Sequence, residues 1–529
     1  MRLTDCLLQL KMPKIKEIIK SPTVLIVLDG WGIAPPSKSN AIDLAKTPVM
    51  NRLWRQYPHT QLKSFGRHVG LPAKQNGNSE AGHMNIGAGR IVDQDSVIIT
   101  KSIQDGTFYR NPGFLEAVQH INKYKSNLHL MGIISGDQCP HMSPSHLIAL
   151  LEFARRKKVK NVYLHFFTDG RDSNRYYAIR LVKKIEKKLN SNEKISTIIG
   201  RYYLDRTKNW NITQRAYNAL VLGEGLKVEN PQKAILQAYN RGETDEFVTP
   251  SVLKGGKQIS DGDSVIFYNL RSDRARQLTK PFIQSKFNSK NPKGFTRRKI
   301  VKNLIFVAMT DFGPDLEGVL TAYPSIDIKD TLPMALRNVR QLYIAEGQKY
   351  AHMTYFFNGG YSDPVGGEDR ITIPSISVKH FEEKPEMNAG KITSVVLQKL
   401  RAKKYDFIAL NYANPDMVGH TGNIGAAIKG IEFTDKCIGR IIREVHKRKG
   451  TVIITADHGN AEDMVNLKTG EVGTQHSSNP VPFIIVSSDK RILKKKNLPE
   501  GVLGNVAPTI LDIMKLDKPG KMKLKSLLQ

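Results

Sequence analysis

Apolar positions along the chain follow two rhythms. Short, mainly apolar runs close on acids, histidines and glycines: TVLIVLDGWG (23–32), NVYLHFFTDGRD (161–172), DFIALNYANPD (406–416) and GTVIITADHGN (450–460). Their length and composition predict strands. A second rhythm returns every three to four residues, in HLIALLEFARRKK (146–158) and AAIKGIEFTDKCIGRIIREVHKR (426–448), and predicts helices. Their alternation implies an α/β protein with mostly parallel sheets, whose sites sit at the C-terminal ends of strands.

The polar loops are unevenly distributed. Acids, histidines and glycines gather in residues 20–90 and 400–480, whereas arginine-rich motifs crowd the middle of the chain. One domain interrupted by an inserted one explains this economically. The expected boundaries are a basic N-terminal extension over 1–22, an outer domain over 23–93 and 322–529, and an inserted domain over 94–321.

The 529 residues carry 80 Lys and Arg against 49 Asp and Glu, a formal charge of +31. Such an excess invites phosphate-bearing partners. It is spread widely, however, with its densest pieces at KKIEKKL (183–189), 280–302 and KRILKKKNL (490–498). The first reads as a solvated helix face and the second as a loop elaboration between domains. No zinc-finger spacing or aromatic-interleaved platform accompanies them, so nucleic acid is not an expected partner. A field of this sign favours small anionic substrates. No run approaches the ~18 apolar residues of a membrane span. Cys6, Cys139 and Cys437 form neither a disulfide framework nor a CxxC pair, which fits a reducing, cytoplasmic setting. The apolar stretch Cys6–Leu10 is too short for an export signal, and Met12 is an alternative start.

Six residues could bind metal. Asp29 follows the first apolar run. Asp457 and His458 are adjacent where TVIITA ends, and both reach one ion only if the chain turns there, which Gly459 permits. Asp416 and His420 stand i, i+4 in NPDMVGH, on one face of a helix starting near Pro415. His476 lies in the polar loop GTQHSSNPVPF. Carboxylates mixed with imidazoles suit Mn²⁺ or Zn²⁺ better than Ca²⁺, and six such groups could serve two ions.

Ser79 lies in the glycine-dense stretch NGNSEAGHMNIGAGR (76–90), which departs from the GxSxG elbow. Near metal ligands it reads as a hydroxyl activated by an ion. Candidate anion grips are Arg171 and Asp172 in DGRD, Arg201 and Arg206 in GRYYLDR, Arg271 and Arg274 in RSDRARQ, and Lys349 in AEGQKYAH. Converging guanidinium forks suit a small ligand with several negative charges.

Taken in order from about Thr23 to the C-terminus, these motifs resemble the cofactor-independent phosphoglycerate mutases of the alkaline phosphatase superfamily. The resemblance rests on LDGWG, GNSEAGHMNIGAGR, FTDGRD, GRYY, FYNLRSDRARQ, EKPEM, NPDMVGHTGN, TADHGNAE and HSSNPVPF. It implies interconversion of 3-phosphoglycerate and 2-phosphoglycerate through a phosphoserine, with two Mn²⁺ per chain, although other divalent metals could serve. It also implies an alkaline-phosphatase-like α/β domain interrupted by an α/β substrate-binding domain, in a protein expected to be a monomer. By the same resemblance Ser79 is the nucleophile. One ion takes Asp29, Ser79, Asp457 and His458, and the other takes Asp416, His420 and His476. His141 joins Arg171, Asp172, Arg201, Arg206, Arg271, Arg274 and Lys349 as substrate contacts.

Three stretches depart from the family pattern. SGDQCPHMS (135–143) stands where the family has SDGGVHS and is one residue longer up to its histidine, GRYYLDRT is one residue shorter than GRYYAMDRD, and AEGQKYAH lacks a second acid before its lysine. A phosphohydrolase or phosphopentomutase of the same superfamily is the competing enzyme, opposed by the DGRD, GRYY and RSDRARQ set. A nucleic-acid-binding protein is the alternative that charge alone would favour.

Overall fold

A computed structural model describes residues 21–529 except 468, 469 and 474. Most of the N-terminal extension, and the choice between Met1 and Met12, lie outside the described residues. The chain divides into two compact units, one formed by the residues up to Val92 together with Ile326–Gln529, the other by Asp93–Ser325. Each has its own eight-stranded sheet and its own hydrophobic core.

In the first unit the strands run edge to edge as Asp369–Ile373, Gln341–Glu346, Phe407–Tyr412, Thr23–Leu28, Thr451–Thr455, Val481–Val486, His59–Lys63 and Gly501–Val502. All neighbours pair parallel except Val481–Val486, which runs antiparallel to both of its partners. The central strands are buried along their whole length, as their mainly apolar runs require of a sheet covered on both faces. Helix Ile424–His446 starts where the Asn423 side chain accepts from the Ala426 N–H. It buries Ala427, Ile431, Thr434, Ile438, Ile441 and Val445, a stripe spaced by three and four residues. Each large aliphatic side chain in that stripe contributes about 1.5–3 kcal/mol through burial.

The second unit orders its strands as Val319–Tyr323, Ile305–Thr310, Ser264–Phe267, Leu128–Ile134, Val162–Thr168, Glu193–Gly200, Ser251–Leu253 and Leu226–Val228. The first six run parallel, and the last two form a parallel pair of opposite sense. Helix Pro144–Arg156 follows the 135–143 loop and turns Leu147, Leu150, Leu151 and Phe153 inward.

The basic segments resolve differently. Lys183, Lys184, Lys187 and Lys188 are exposed along and just past helix Ala178–Glu186. Residues 280–302, expected as an elaboration between domains, lie inside the second unit, because Phe287, Phe295 and Val301 pack into its core. Among the described residues no helix is long and apolar enough to cross a membrane.

Candidate active site

The first unit gathers its chemistry at the C-terminal ends of its central strands. Asp29 follows strand Thr23–Leu28, and its N–H donates to the Tyr412 carbonyl at 3.0 Å. Gly30 has φ +74°, and a Cβ there would stand 2.8 Å from the Asp416 Cα, so only glycine lets these two loops touch. Asp416 lies in the first turn of the short helix Asn414–Gly419, which brings His420 Nε2 to 3.2 Å from Asp416 Oδ1. Asp457 and His458 sit in the bend after strand Thr451–Thr455. Gly459 was expected to permit that bend by its dihedral freedom. Its backbone is not left-handed. It is a glycine for space, since a Cβ would fall 2.3 Å from Glu462 Oε1 and 2.4 Å from Ser477 Oγ.

Ser79 is the first residue of helix Ser79–Ala88, whose N-cap Asn78 accepts from the Ala81 N–H at 2.9 Å. Unpaired N–H groups at such a terminus favour an anion. Ser79 Oγ lies 2.9 Å from His458 Nε2 and 3.4 Å from Asp29 Oδ1, and it receives a hydrogen bond from Lys349 Nζ at 2.8 Å. Lys349 also donates to Asp29 Oδ1 and Asp416 Oδ2, each at 2.6 Å. It sits just before His352–Phe356, a wide turn with π-helical bonding. Lys349 therefore lies among the acids of the first unit. His476 Nε2 stands 3.1 Å from His420 Nε2 and 3.3 Å from Asp416 Oδ1, and its ring stacks on His458 with centroids 3.8 Å apart.

Burial and mutual charge set the protonation of this cluster. Burial, reinforced by the Asp457 charge, pushes Asp29 up to about 7. Burial also disfavours ionised Asp416, but Lys349 and His420 outweigh it and hold that carboxyl well below its usual range. Asp457 is likewise held low, by His458 and His83 against burial. Burial opposes the Lys349 charge, yet Asp29 and Asp416 raise its pKa well above normal. Burial takes His458 down to about 3, leaving a neutral imidazole with a lone pair to offer.

This donor set fits a divalent metal. Asp416, His458 and His476 place ligand atoms within 4.8 Å of one another, and so do Asp29, His83 and Asp457. Asp457 Oδ2 is fully buried with no well-aligned hydrogen bond, only the imidazole nitrogens of His83 and His458 beside it at 3.2 and 3.4 Å, an expensive state for an anionic oxygen unless a cation serves it. Oxygen and imidazole nitrogen suit first-row divalent ions.

In the second unit a basic cluster forms around His141. Arg201 follows strand Glu193–Gly200, and one arm of its guanidinium donates to both Asp169 and Asp172. The other arm meets His141 Nε2 at 2.9 Å. His141 Nδ1 faces Asp273 Oδ1 at 3.7 Å, and Arg206 donates to Asp273 Oδ2 at 2.7 Å. Arg274 is buried and donates to the Leu204 carbonyl at 3.1 Å. Arg171 pairs loosely with Glu246 at 3.6 Å. Burial and the Arg201 charge push His141 down to about 3, with Arg271 and Arg274 adding to the effect. Burial, with Arg201 and Arg206 nearby, lowers Arg274 to about 10. Burial opposes the Arg201 charge as well, but Asp172 and Asp169 raise its pKa. The remodelled 135–143 loop keeps His141 against Arg201, and Cys139 Sγ reaches Asp172 Oδ2 at 3.6 Å.

Sequence reasoning missed several partners. His83, four residues after Ser79 on the same helix, faces Asp457, and its i, i+4 spacing from the serine was the available signal. Glu462 accepts from the Gly32 and Asn460 N–H groups, Ser477 and Asn479, tying together three of the ligand-bearing loops. Asn411, Asn460, Asp169 and Asp273 lie inside the quoted motifs but were passed over for their neighbours.

A model of the metalloenzyme superfamily matches residues 21–518. The chain is 46% identical over 520 residues to a 2,3-bisphosphoglycerate-independent phosphoglycerate mutase of Clostridium kluyveri, covering 96% of this chain and 100% of that one. It is 44% identical over 514 residues to the enzyme so named in Acetivibrio thermocellus, covering 96% and 98%. Among solved structures, phosphoglycerate mutase of Leishmania mexicana at low cobalt concentration superposes with a TM-score of 0.77 at 29% identity, covering 97% of this chain and 98% of that one.

Proposed function

The chain belongs to the metalloenzyme superfamily and to the 2,3-bisphosphoglycerate-independent phosphoglycerate mutases, isomerases that interconvert 3-phosphoglycerate and 2-phosphoglycerate, and we propose that in it Ser79 carries the phosphoryl group. The support is the position of Ser79 Oγ, at a helix N-terminus and within hydrogen-bond reach of His458 and Lys349. Two Mn²⁺ ions complete the proposal, one held by Asp29, Ser79, Asp457 and His458, the other by Asp416, His420 and His476. When bound they acidify the serine hydroxyl and offset phosphoryl charge.

Ser79 Oγ attacks phosphorus, forming the phosphoserine bond as the bond from phosphorus to the substrate oxygen breaks. The proton given up by Ser79 ends on the departing glycerate hydroxyl. Lys349, held protonated by Asp29 and Asp416, balances charge on the transferring group. The helix N-terminus receives the phosphoserine oxygens. Arg171, Arg201, Arg206, Arg271 and Arg274 hold the glycerate carboxylate, Asp172 accepts from a hydroxyl, and neutral His141 accepts the proton of the hydroxyl that attacks next. The other hydroxyl then attacks phosphorus as the bond from phosphorus to Ser79 Oγ breaks, and the proton it gave up returns to Ser79. A monomeric cytoplasmic enzyme, acting on small phosphorylated acids and without nucleic-acid or membrane partners, completes the reading.

A coupled mutase assay without bisphosphoglycerate tests it. Activity is expected to vanish in EDTA and return with Mn²⁺, while Ser79→Ala folds normally and is inactive. Substantial turnover by Ser79→Ala would overturn the proposal.

A further inference from the structure

Beneath Ser79 lies a buried pair that the proposed ligand set does not use. His83 and Asn411 are both fully buried. His83 is on the serine's own helix, and Asn411 is on strand Phe407–Tyr412, paired across from Val27 just before Asp29. His83 Nδ1 stands 2.9 Å from the Ser79 carbonyl and 3.2 Å from Asp457 Oδ2. Both are acceptors, so Nδ1 carries a hydrogen. The Asn411 amide nitrogen donates to Asp29 Oδ2 at 2.7 Å and lies 3.1 Å from His83 Nε2. One contiguous chain thus runs from Asp29 through Asn411 and His83 to Asp457 and the backbone of Ser79.

We infer that His83 and Asn411 are positioning residues that fix Asp29, Asp457 and Ser79 relative to one another, so that the nucleophile and its metal ligands are set before substrate arrives. The inference deepens the reading of Ser79 as phosphoryl carrier and rests on it. Asp29 and Asp457 come from different strands, and Ser79 from a helix. Of these, Asp29 is also gripped by Lys349 and Asp457 by backbone N–H groups of Gly30 and His458. Those contacts leave one oxygen of each carboxylate to be aimed, and Asn411 and His83 face those oxygens. Partners of this kind, one step behind a ligand, set affinity as well as geometry.

The donor at Nδ1 makes the idea testable. In His83→Asn a side-chain amide occupies the Nδ1 position, whereas His83→Gln leaves it empty and places its amide near Nε2. Three readouts apply to full-length protein shown to be folded by circular dichroism: kcat, KM, and Mn²⁺ affinity by calorimetric titration after chelation. His83→Gln is expected to lose about 10- to 100-fold in kcat and in Mn²⁺ affinity, with KM within about threefold. His83→Asn should recover most of both losses. Wild-type kcat and Mn²⁺ affinity in His83→Gln would overturn the inference, and so would a His83→Asn variant as impaired as His83→Gln. If His83→Gln does not fold, Asn411→Ser decides by the same readouts, weaker Mn²⁺ binding supporting the inference and unchanged binding overturning it. Ser79→Ala separates the two levels. If it is active, the phosphoserine reading has failed. If it is inactive while His83→Gln is unimpaired, only the positioning role has failed.

Discussion

The two clusters hold their charges in opposite ways. In the first unit Asp29, Asp416, Asp457, His458 and Lys349 are all buried, and each is gripped by another member of the set. In the second unit the basic side chains are graded. Arg201 is 5% exposed and locked to two aspartates, whereas Arg206 and Arg171 are 48% and 53% exposed, each against one partly open acid. A fixed, dry cluster suits chemistry at one atom, because its groups need no reorganisation as charge develops. A graded one suits capture, with outer forks that find an anion and inner ones that orient it. The contrast teaches that substitutions in the first unit should strike turnover and stability together, and that outer substitutions in the second should strike binding alone.

Lys349→Met is the harshest way to break the contrast. It strips the shared ammonium from Asp29 and Asp416, and breaking a buried pair of this kind costs about 3–5 kcal/mol. Both kcat and denaturant stability are expected to fall steeply. A variant with normal stability in urea melts would show that the acids do not depend on this cation.

The arginines sharpen the comparison at intermediate size. Arg274→Lys should lower kcat/KM at least about tenfold, because a lysine cannot reproduce the planar fork. Arg171→Ala should raise KM with little change in stability, since exposed pairs contribute only about 0–1 kcal/mol. Equal kinetics for the two variants would erase the distinction between inner and outer forks.

The smallest effect concerns pH. Burial takes His146 down to about 4, and burial with Arg201 takes His141 to about 3. Unfolded histidines bind protons near 6.5, so between that pH and about 4 the unfolded chain takes up protons that the folded one refuses. Stability from these two groups is therefore complete above about 6.5 and declines as pH falls. His146→Leu should flatten the fall of the thermal midpoint between pH 7 and 4.5. An unchanged slope would show that other groups govern acid unfolding.

Legibility in the sequence followed burial and locality. TVLIVL, VYLHFFT, FIALNY and TVIIT announce their strands because both faces of each are covered and apolar residues dominate, His165 and Asn411 being the polar positions inside them. Val481–Val486 gave no hint of its reversed direction, since chain sense is set by tertiary pairing and leaves no mark on composition. Asp416 and His420 were readable as neighbours because one helical turn joins them. The Lys349 contacts with Asp29 and Asp416 span 320 and 67 residues, and no local pattern encodes them. The 280–302 segment misled because its eight basic residues overshadow the buried Phe287 and Phe295.

The division of labour between the units has one direct test, in His141→Ala. After incubation with phosphoglycerate and an acid quench, mass spectrometry locates any phosphoserine, and the coupled assay measures turnover on the same sample. The account predicts that most mutase activity is lost while Ser79 still becomes phosphorylated, because Ser79 and the groups around it belong to the other unit. Wild-type turnover, or lost turnover with no phosphate on Ser79, would contradict it.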